Sequence, residues 1–188
     1  MVALHLAEGF EEIEAITVVD VLRRAGVDVR MISVSGSLQV TGSHGISVQA
    51  DQLFEETAYE TCEMILLPGG MPGSRHLKEH TGLAEKILQF QAQDKWLGAI
   101  CAAPMVLGGL GVLAGKKATI FPGMEGELLG ASVQHDRVVI DGKIITSRGP
   151  GTALEFSLQL AGILAGPSQE QKLRSSMLAG LADPQSRG

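Results

Sequence analysis

Hydrophobic positions along the chain fall into short runs that alternate with segments of helical period. Val2–Ala7 is a mostly apolar run closed by Glu8-Gly9 and reads as a strand buried on both faces. From Glu11 the period lengthens. Ala15, Val18, Val19 and Leu22 recur at helical spacing, Glu11, Glu12 and Glu14 load the first turn, Arg23 and Arg24 the last, and Gly26 follows as a stop. Val27–Val34 is a second strand, and Leu38–Ala50 reads as a hairpin around Thr41–Gly45. Met64–Leu67 is a strand ending in Pro68-Gly69-Gly70, a helix is expected over His76–Gln93, Trp96–Ile100 is a strand, and a helix is expected over Ala102–Leu113. Lys117–Phe121 is a further strand, and Arg137–Ile140 and Lys143–Thr146 flank the hairpin signal Asp141-Gly142. Thr152 with Glu155 three residues on predicts a capping box that opens a helix, with Leu154, Leu158, Ala161, Leu164 and Ala165 on its apolar face. Gly166-Pro167 ends that helix, another is expected over Gln169–Ala179, and residues 183–188 are expected to fray.

Strands alternating with helices predict an α/β domain with a mostly parallel sheet, helices on both faces and added hairpins. With 188 residues and no internal repeat or linker, the chain reads as one domain, 1–188. The net charge is −6, aromatic residues are 4%, and there is no cluster of Lys and Arg, so a nucleic-acid groove is not expected. No apolar run approaches the ~18 residues of a membrane span. The N-terminus reads as a strand and not as a signal peptide, and two cysteines cannot form a disulfide framework, so reduced thiols and a cytoplasmic location are expected.

The chemistry concentrates at three strand ends, where open α/β sheets bind ligands. Ala7-Glu8-Gly9-Phe10-Glu11-Glu12-Ile13-Glu14 follows the first strand, Leu67-Pro68-Gly69-Gly70 the Met64 strand, and Ile100-Cys101-Ala102-Ala103-Pro104 the Trp96 strand. If the strand order is flavodoxin-like, a carboxylate, a glycine-rich backbone and a thiol share one crevice. A cysteine over a helix start is expected to have a lowered pKa, Gly69-Gly70 can present oxyanion-binding N–H groups, and a buried Glu14 can keep a proton and pass it on. Each feature has an ordinary alternative: a cysteine between strand and helix is as often a small buried hydrophobe, Pro-Gly-Gly is a turn, and acidic residues at a helix start serve its dipole. Their alignment on three strand ends favours the catalytic reading. Cys62, at a strand entry, reads as a structural thiol, and no metal site is expected.

The stretches "AEGFEEIEAITVVDVLRRAG", "ILLPGG", "AICAAP" and "TSRGPGTALEF" occur in order along the chain. In these the core, about Val2 to Ala165, resembles the ThiJ/PfpI superfamily, in the branch of the Parkinson-disease-associated protein deglycase and its bacterial ThiJ-like relatives. The resemblance implies a flavodoxin-like three-layer sandwich and a homodimer. It places the reactive cysteine, in a nucleophile elbow, on Cys101 and its protonated partner on Glu14. Oxyanion donors fall on the N–H groups of Gly70 and Ala102, beside Gly69. Glu11, Asp20, Arg24 and Ser147 match positions of the dimer interface and the polar network beneath the cysteine. Two departures stand out. Some relatives carry a histidine in the loop after the Lys117 strand, whereas Phe121–Ser132 contains none and His135 comes later, in a hairpin arm. His44 stands where some relatives have arginine.

The resemblance implies a cofactor-independent, glyoxalase III-type enzyme or deglycase that acts on methylglyoxal, related α-oxoaldehydes or glycated amines through a cysteine hemithioacetal. The alternative is an oxidative-stress sensor or redox-regulated chaperone using the same cysteine. A cysteine peptidase fits less well, because peptidase-like relatives have histidine after the nucleophile, where this chain has Ala102.

Overall fold

The structure, a computed structural model, describes residues 1–179; the tail expected to fray, 183–188, lies outside the described residues. Val2–Leu6 (β1) is buried at all five positions, as a central parallel strand requires. It pairs in parallel with Val29–Ser33 (β2) on one side and Met64–Leu67 (β6) on the other. The remaining strands are Gln39–Thr41 (β3), Ser47–Gln49 (β4), Gln52–Leu53 (β5), Trp96–Ile100 (β7), Lys117–Ala118 (β8), Ser132–Val133 (β9), Val138–Asp141 (β10) and Ile144–Ser147 (β11). Seven strands make the main sheet in the order β10-β11-β7-β6-β1-β2-β5, and only the β10–β11 pair, the expected Asp141-Gly142 hairpin, is antiparallel. This is the flavodoxin-like α/β three-layer arrangement.

Side chains alternate across the sheet and build two cores. Leu4, Leu6, Met64 and Leu66 meet Val18 and Leu22 of Glu12–Arg24 (α1) and Phe156 of Ala153–Ala165 (α5). Ala3, Ile65, Leu67, Leu97 and Ala99 meet Leu77 of Gly73–Glu79 (α2), Ile87 and Phe90 of Thr81–Ala92 (α3) and Val106 of Pro104–Gly109 (α4). Pro167–Ser176 (α6) packs back on α5.

Several boundaries differ from the pattern. The helix expected over His76–Gln93 is two helices: His80 turns extended between them, and its ring Nδ1 accepts the Leu83 N–H at 3.0 Å, capping α3. The helix expected over Ala102–Leu113 shortens to α4, which ends on the glycine pair Gly108-Gly109 before Gly111 turns left-handed at φ +73°. The strand expected over Lys117–Phe121 stops at Ala118 and pairs with β9 in a small separate sheet. The Thr152 capping box does not form: Thr152 Oγ1 accepts the Gly149 N–H at 3.1 Å, and Glu155 instead takes Arg137 Nε at 2.7 Å.

Candidate active site

In the observed order β7, β6 and β1 are adjacent, so the three marked strand ends converge. Cys101 follows β7 at φ +63°, a left-handed conformation that costs a non-glycine residue roughly 1–2 kcal/mol. Backbone bonds hold it there. Its N–H donates to Ser147 O at 3.0 Å, and its carbonyl accepts the Phe121 N–H at 2.9 Å. The expected nucleophile elbow is thus a sharp strand-to-helix turn that lifts the thiol out of the sheet plane, leaving Cys101 9% exposed.

Glu14 is fully buried in the first turn of α1. Glu11 caps that helix, accepting the Glu14 N–H at 2.7 Å, and Glu14 Oε2 in turn accepts the Gly69 N–H at 2.7 Å. Gly69 separates the acid from the thiol. A Cβ added there would lie 2.5 Å from Cys101 Cβ, 2.6 Å from Glu14 Oε2 and 3.1 Å from the sulfur. Only glycine fits between these groups.

Burial pushes the Glu14 carboxyl up to about 7, against the Gly69 N–H and the neighbouring Cys101 thiol, which favour its charged form. Burial also pushes the Cys101 thiol up to about 12, and the Glu14 carboxylate adds like-charge repulsion; the N–H groups of Ala102 and Gly70 at the sulfur pull the other way. The expected lowering of the thiol pKa is therefore reversed, chiefly by burial. The two acids occupy one buried crevice; Glu14 is the first to give up its proton, near neutrality, while the thiol keeps its own. Transfer of the thiol proton to the Glu14 carboxylate would leave an anionic sulfur, whose charge the N–H groups of Gly70 and Ala102 favour.

The other marked residues divide. Glu11 joins the site through the Glu14 N–H, and Ser147 joins through its carbonyl on Cys101, while its hydroxyl donates to Arg137 O and meets Thr152 Oγ1, each at 2.7 Å. Asp20 and Arg24 form a 2.7 Å ion pair with each other, exposed and further along α1. Cys62 is buried, with its Sγ 3.6 Å from the Ala58 carbonyl. The pattern did not mark Phe121, whose backbone holds the cysteine turn. It also missed a clamp between Glu12 and the β3–β4 hairpin: Glu12 accepts from His44 Nδ1 at 2.8 Å and from the His44 N–H at 2.7 Å. Burial alone would raise Glu12, but the side-chain and backbone hydrogen bonds from His44 outweigh it and hold the carboxyl at about 2. Glu11, Glu12 and His44 are the one group among the described residues whose potential metal-ligand atoms cluster within 4.8 Å, and the His44–Glu12 ion pair accounts for it. His76 and His80 stand four apart, a spacing that would align them on an unbroken helix. The chain turns extended at His80, and each ring is engaged elsewhere: His76 Nδ1 donates to Glu8 O at 3.1 Å and His80 Nδ1 accepts the Leu83 N–H.

A family model described as DJ-1/PfpI family matches residues 1–162. Protein DJ-1 homolog B of Arabidopsis thaliana is 41% identical over 88% of this chain, which spans only 38% of that longer protein. Glutathione-independent glyoxalase DJR-1.2 of Caenorhabditis elegans is 33% identical over 88% of this chain and 89% of its own length. The solved structure described as Toxoplasma gondii DJ-1, oxidized, superposes with a TM-score of 0.92 at 36% identity, covering 96% of this chain and 98% of that one.

Proposed function

The chain belongs to the DJ-1/PfpI family, and from that premise we propose that it is a cofactor-independent glyoxalase III-type enzyme and deglycase that converts methylglyoxal and related α-oxoaldehydes to 2-hydroxy acids on Cys101. The observation that carries the reading is the buried Glu14 carboxyl set beside the Cys101 thiol at Gly69, where a single added Cβ would touch both groups. A full-length relative named as a glutathione-independent glyoxalase supports it.

The steps follow from one proton and two acids. The Cys101 thiol passes its proton to the Glu14 carboxylate, the thiolate attacks the aldehyde carbon, and Glu14 gives that proton to the aldehyde oxygen, forming a hemithioacetal. The Glu14 carboxylate then removes the proton from that carbon, the N–H groups of Gly70 and Ala102 hold the oxyanion of the enediolate, Glu14 delivers a proton to the neighbouring carbon, and the hydroxyl proton of the first carbon passes to the neighbouring oxygen as the C=O of the thioester forms. The product is a thioester on Cys101. Water cleaves it to lactate and free thiol. One carbon is oxidised and its neighbour reduced, so no external oxidant or reductant enters. Removal of free aldehyde also draws reversible glycation adducts back to the amine, which unites the glyoxalase and deglycase readings. A purified sample with methylglyoxal and no glutathione should yield lactate by proton NMR; methylglyoxal that persists unchanged would overturn the proposal.

A second role rests on the same thiol. The similar Toxoplasma gondii structure is described as oxidized, and a sulfinate at Cys101 would meet the same amide donors that serve the thiolate. This supports an oxidative-stress sensor or chaperone function alongside the enzyme. We place the protein in the cytoplasm on the two free thiols; no helix among the described residues is long and apolar enough to cross a membrane. We further propose a homodimer through α1. Ile13 and Ile16 are 57% and 41% exposed there, and Ile46, also 57% exposed, sits beside them because its N–H reaches Glu12.

A further inference from the structure

At the opposite end of the sheet from Cys101, a cleft of about 200 Å³ opens where β7 and β11 begin, lined among others by Gln91, Asp94, Lys95, Lys116 and Lys143. Three of the chain's seven lysines meet there, in a protein of net charge −6, and all three are half-buried. Lysine is normally left to water. Two of these are held in place by rings: Lys95 Nζ lies 4.8 Å over the Phe90 ring, and Lys143 Nζ lies 4.8 Å over the Trp96 ring. Lys116 Nζ has only a long contact, 3.7 Å, to Asp141 Oδ1, and Lys95 Nζ has only the Glu60 carbonyl at 3.5 Å. Asp94 is the one carboxylate in the lining.

Three ammonium groups around one bounded space repel one another, and Asp94 in the lining with Asp141 beside Lys116 leaves an excess of one positive charge there. A small anion would offset that excess and the repulsion among the lysines. Because the aromatic faces already order two of the lysine stems, the anion would not have to supply that ordering itself. The volume lies below the range of about 300 Å³ and upward typical of larger organic ligands, which suits a small anion. We propose that this cleft binds a small phosphate anion, free or as the head group of a small phosphomonoester, with Lys95, Lys116 and Lys143 as its cationic wall and the Gln91 amide as a neutral donor. The site stands apart from the thiol chemistry and does not depend on it.

The test is an NMR titration of the ¹⁵N-labelled full chain with inorganic phosphate, at neutral pH and with ionic strength held constant by sodium chloride. Saturable shifts of the Leu97, Lys143 and Ile144 amides are expected, equally in the Cys101→Ala variant. Affinity should fall about tenfold or more in Lys95→Gln/Lys143→Gln, the loss expected on removing two charge-assisted contacts. Lys116→Gln leaves both aromatic stacks in place and should also weaken binding, so it decides the matter if the double variant loses its native spectrum. Glycerol 3-phosphate that binds at least as well as phosphate identifies a phosphomonoester site; binding of phosphate alone identifies the free ion. Shifts that rise linearly without saturating, that scatter over lysines elsewhere, or that persist unchanged in a folded variant would overturn the proposal.

Discussion

The carboxyl of Glu14 accepts the N–H of Gly69 at 2.7 Å, although 55 residues separate the two along the chain. This bond ties the start of α1 to the end of β6 and fixes the acid beside the thiol. It also explains why position 69 has no side chain: the space a Cβ would take is already filled by Cys101 and Glu14.

Gly69→Ala should therefore separate the pair without unfolding the domain. A displacement of about 1 Å in a reacting group costs on the order of a hundredfold in rate, so lactate formation should fall by at least about that factor. Circular dichroism should still report a folded protein. Undiminished turnover would show that the spacing across Gly69 does not matter.

The buried acid should weaken the fold at high pH. Its folded pKa, about 7, lies above the ordinary value of 4.5. Between these values the unfolded chain has released a proton that the folded chain still holds, so stability falls as pH rises through this window and stays low above it. The full effect is at most about 3 kcal/mol. Glu14→Gln removes the titration while keeping an acceptor for Gly69. Urea unfolding should find the variant equal to or below wild type near pH 4 and gaining on it as pH rises to about 8.

His5 works in the other direction. It is fully buried in β1, with its Nε2 2.7 Å from the Tyr59 hydroxyl, and burial lowers its pKa from 6.5 to about 3. Below 6.5 the unfolded chain binds a proton that the folded chain refuses, so stability is lost as pH falls toward 3, by at most about 5 kcal/mol. His5→Leu should start less stable at neutral pH, because the Tyr59 hydroxyl loses its partner at a cost of about 1–3 kcal/mol. That deficit should shrink as the sample is acidified. Parallel pH profiles for the two proteins would contradict this account.

Glu14 as proton carrier leaves an isotopic mark. Run in deuterium oxide, the reaction should place deuterium on the carbinol carbon of lactate, because the carboxyl exchanges its proton with solvent between removal and return. An internal hydride shift would retain protium at that carbon, and mass spectrometry of the product separates the two.

Much of this site is legible in the sequence because it is written at strand ends. The Glu11–Glu14 turn, Pro68-Gly69-Gly70 and Cys101-Ala102-Ala103-Pro104 each mark a switch from apolar run to helix, and a parallel sheet brings such switches to one edge. Local pattern failed where tertiary contacts decide. The break at His80 depends on its ring capping α3, and Thr152 abandons its helix cap for Gly149 and Ser147. The Glu12–His44 clamp spans 32 residues and has no signature along the chain. The direction of the thiol pKa was misjudged for a related reason: position at a helix start is readable, but α4 is only six residues long, and burial beside a second acid outweighs it.

The account turns on whether Cys101 and Glu14 act as one reaction centre. Rates of lactate formation from methylglyoxal, without glutathione, should be measured side by side for wild type, Cys101→Ala and Glu14→Gln. Each variant is expected to lose more than about a thousandfold, with nearly equal losses because neither acid works without the other. Turnover that survives in either variant near the wild-type rate would contradict the account.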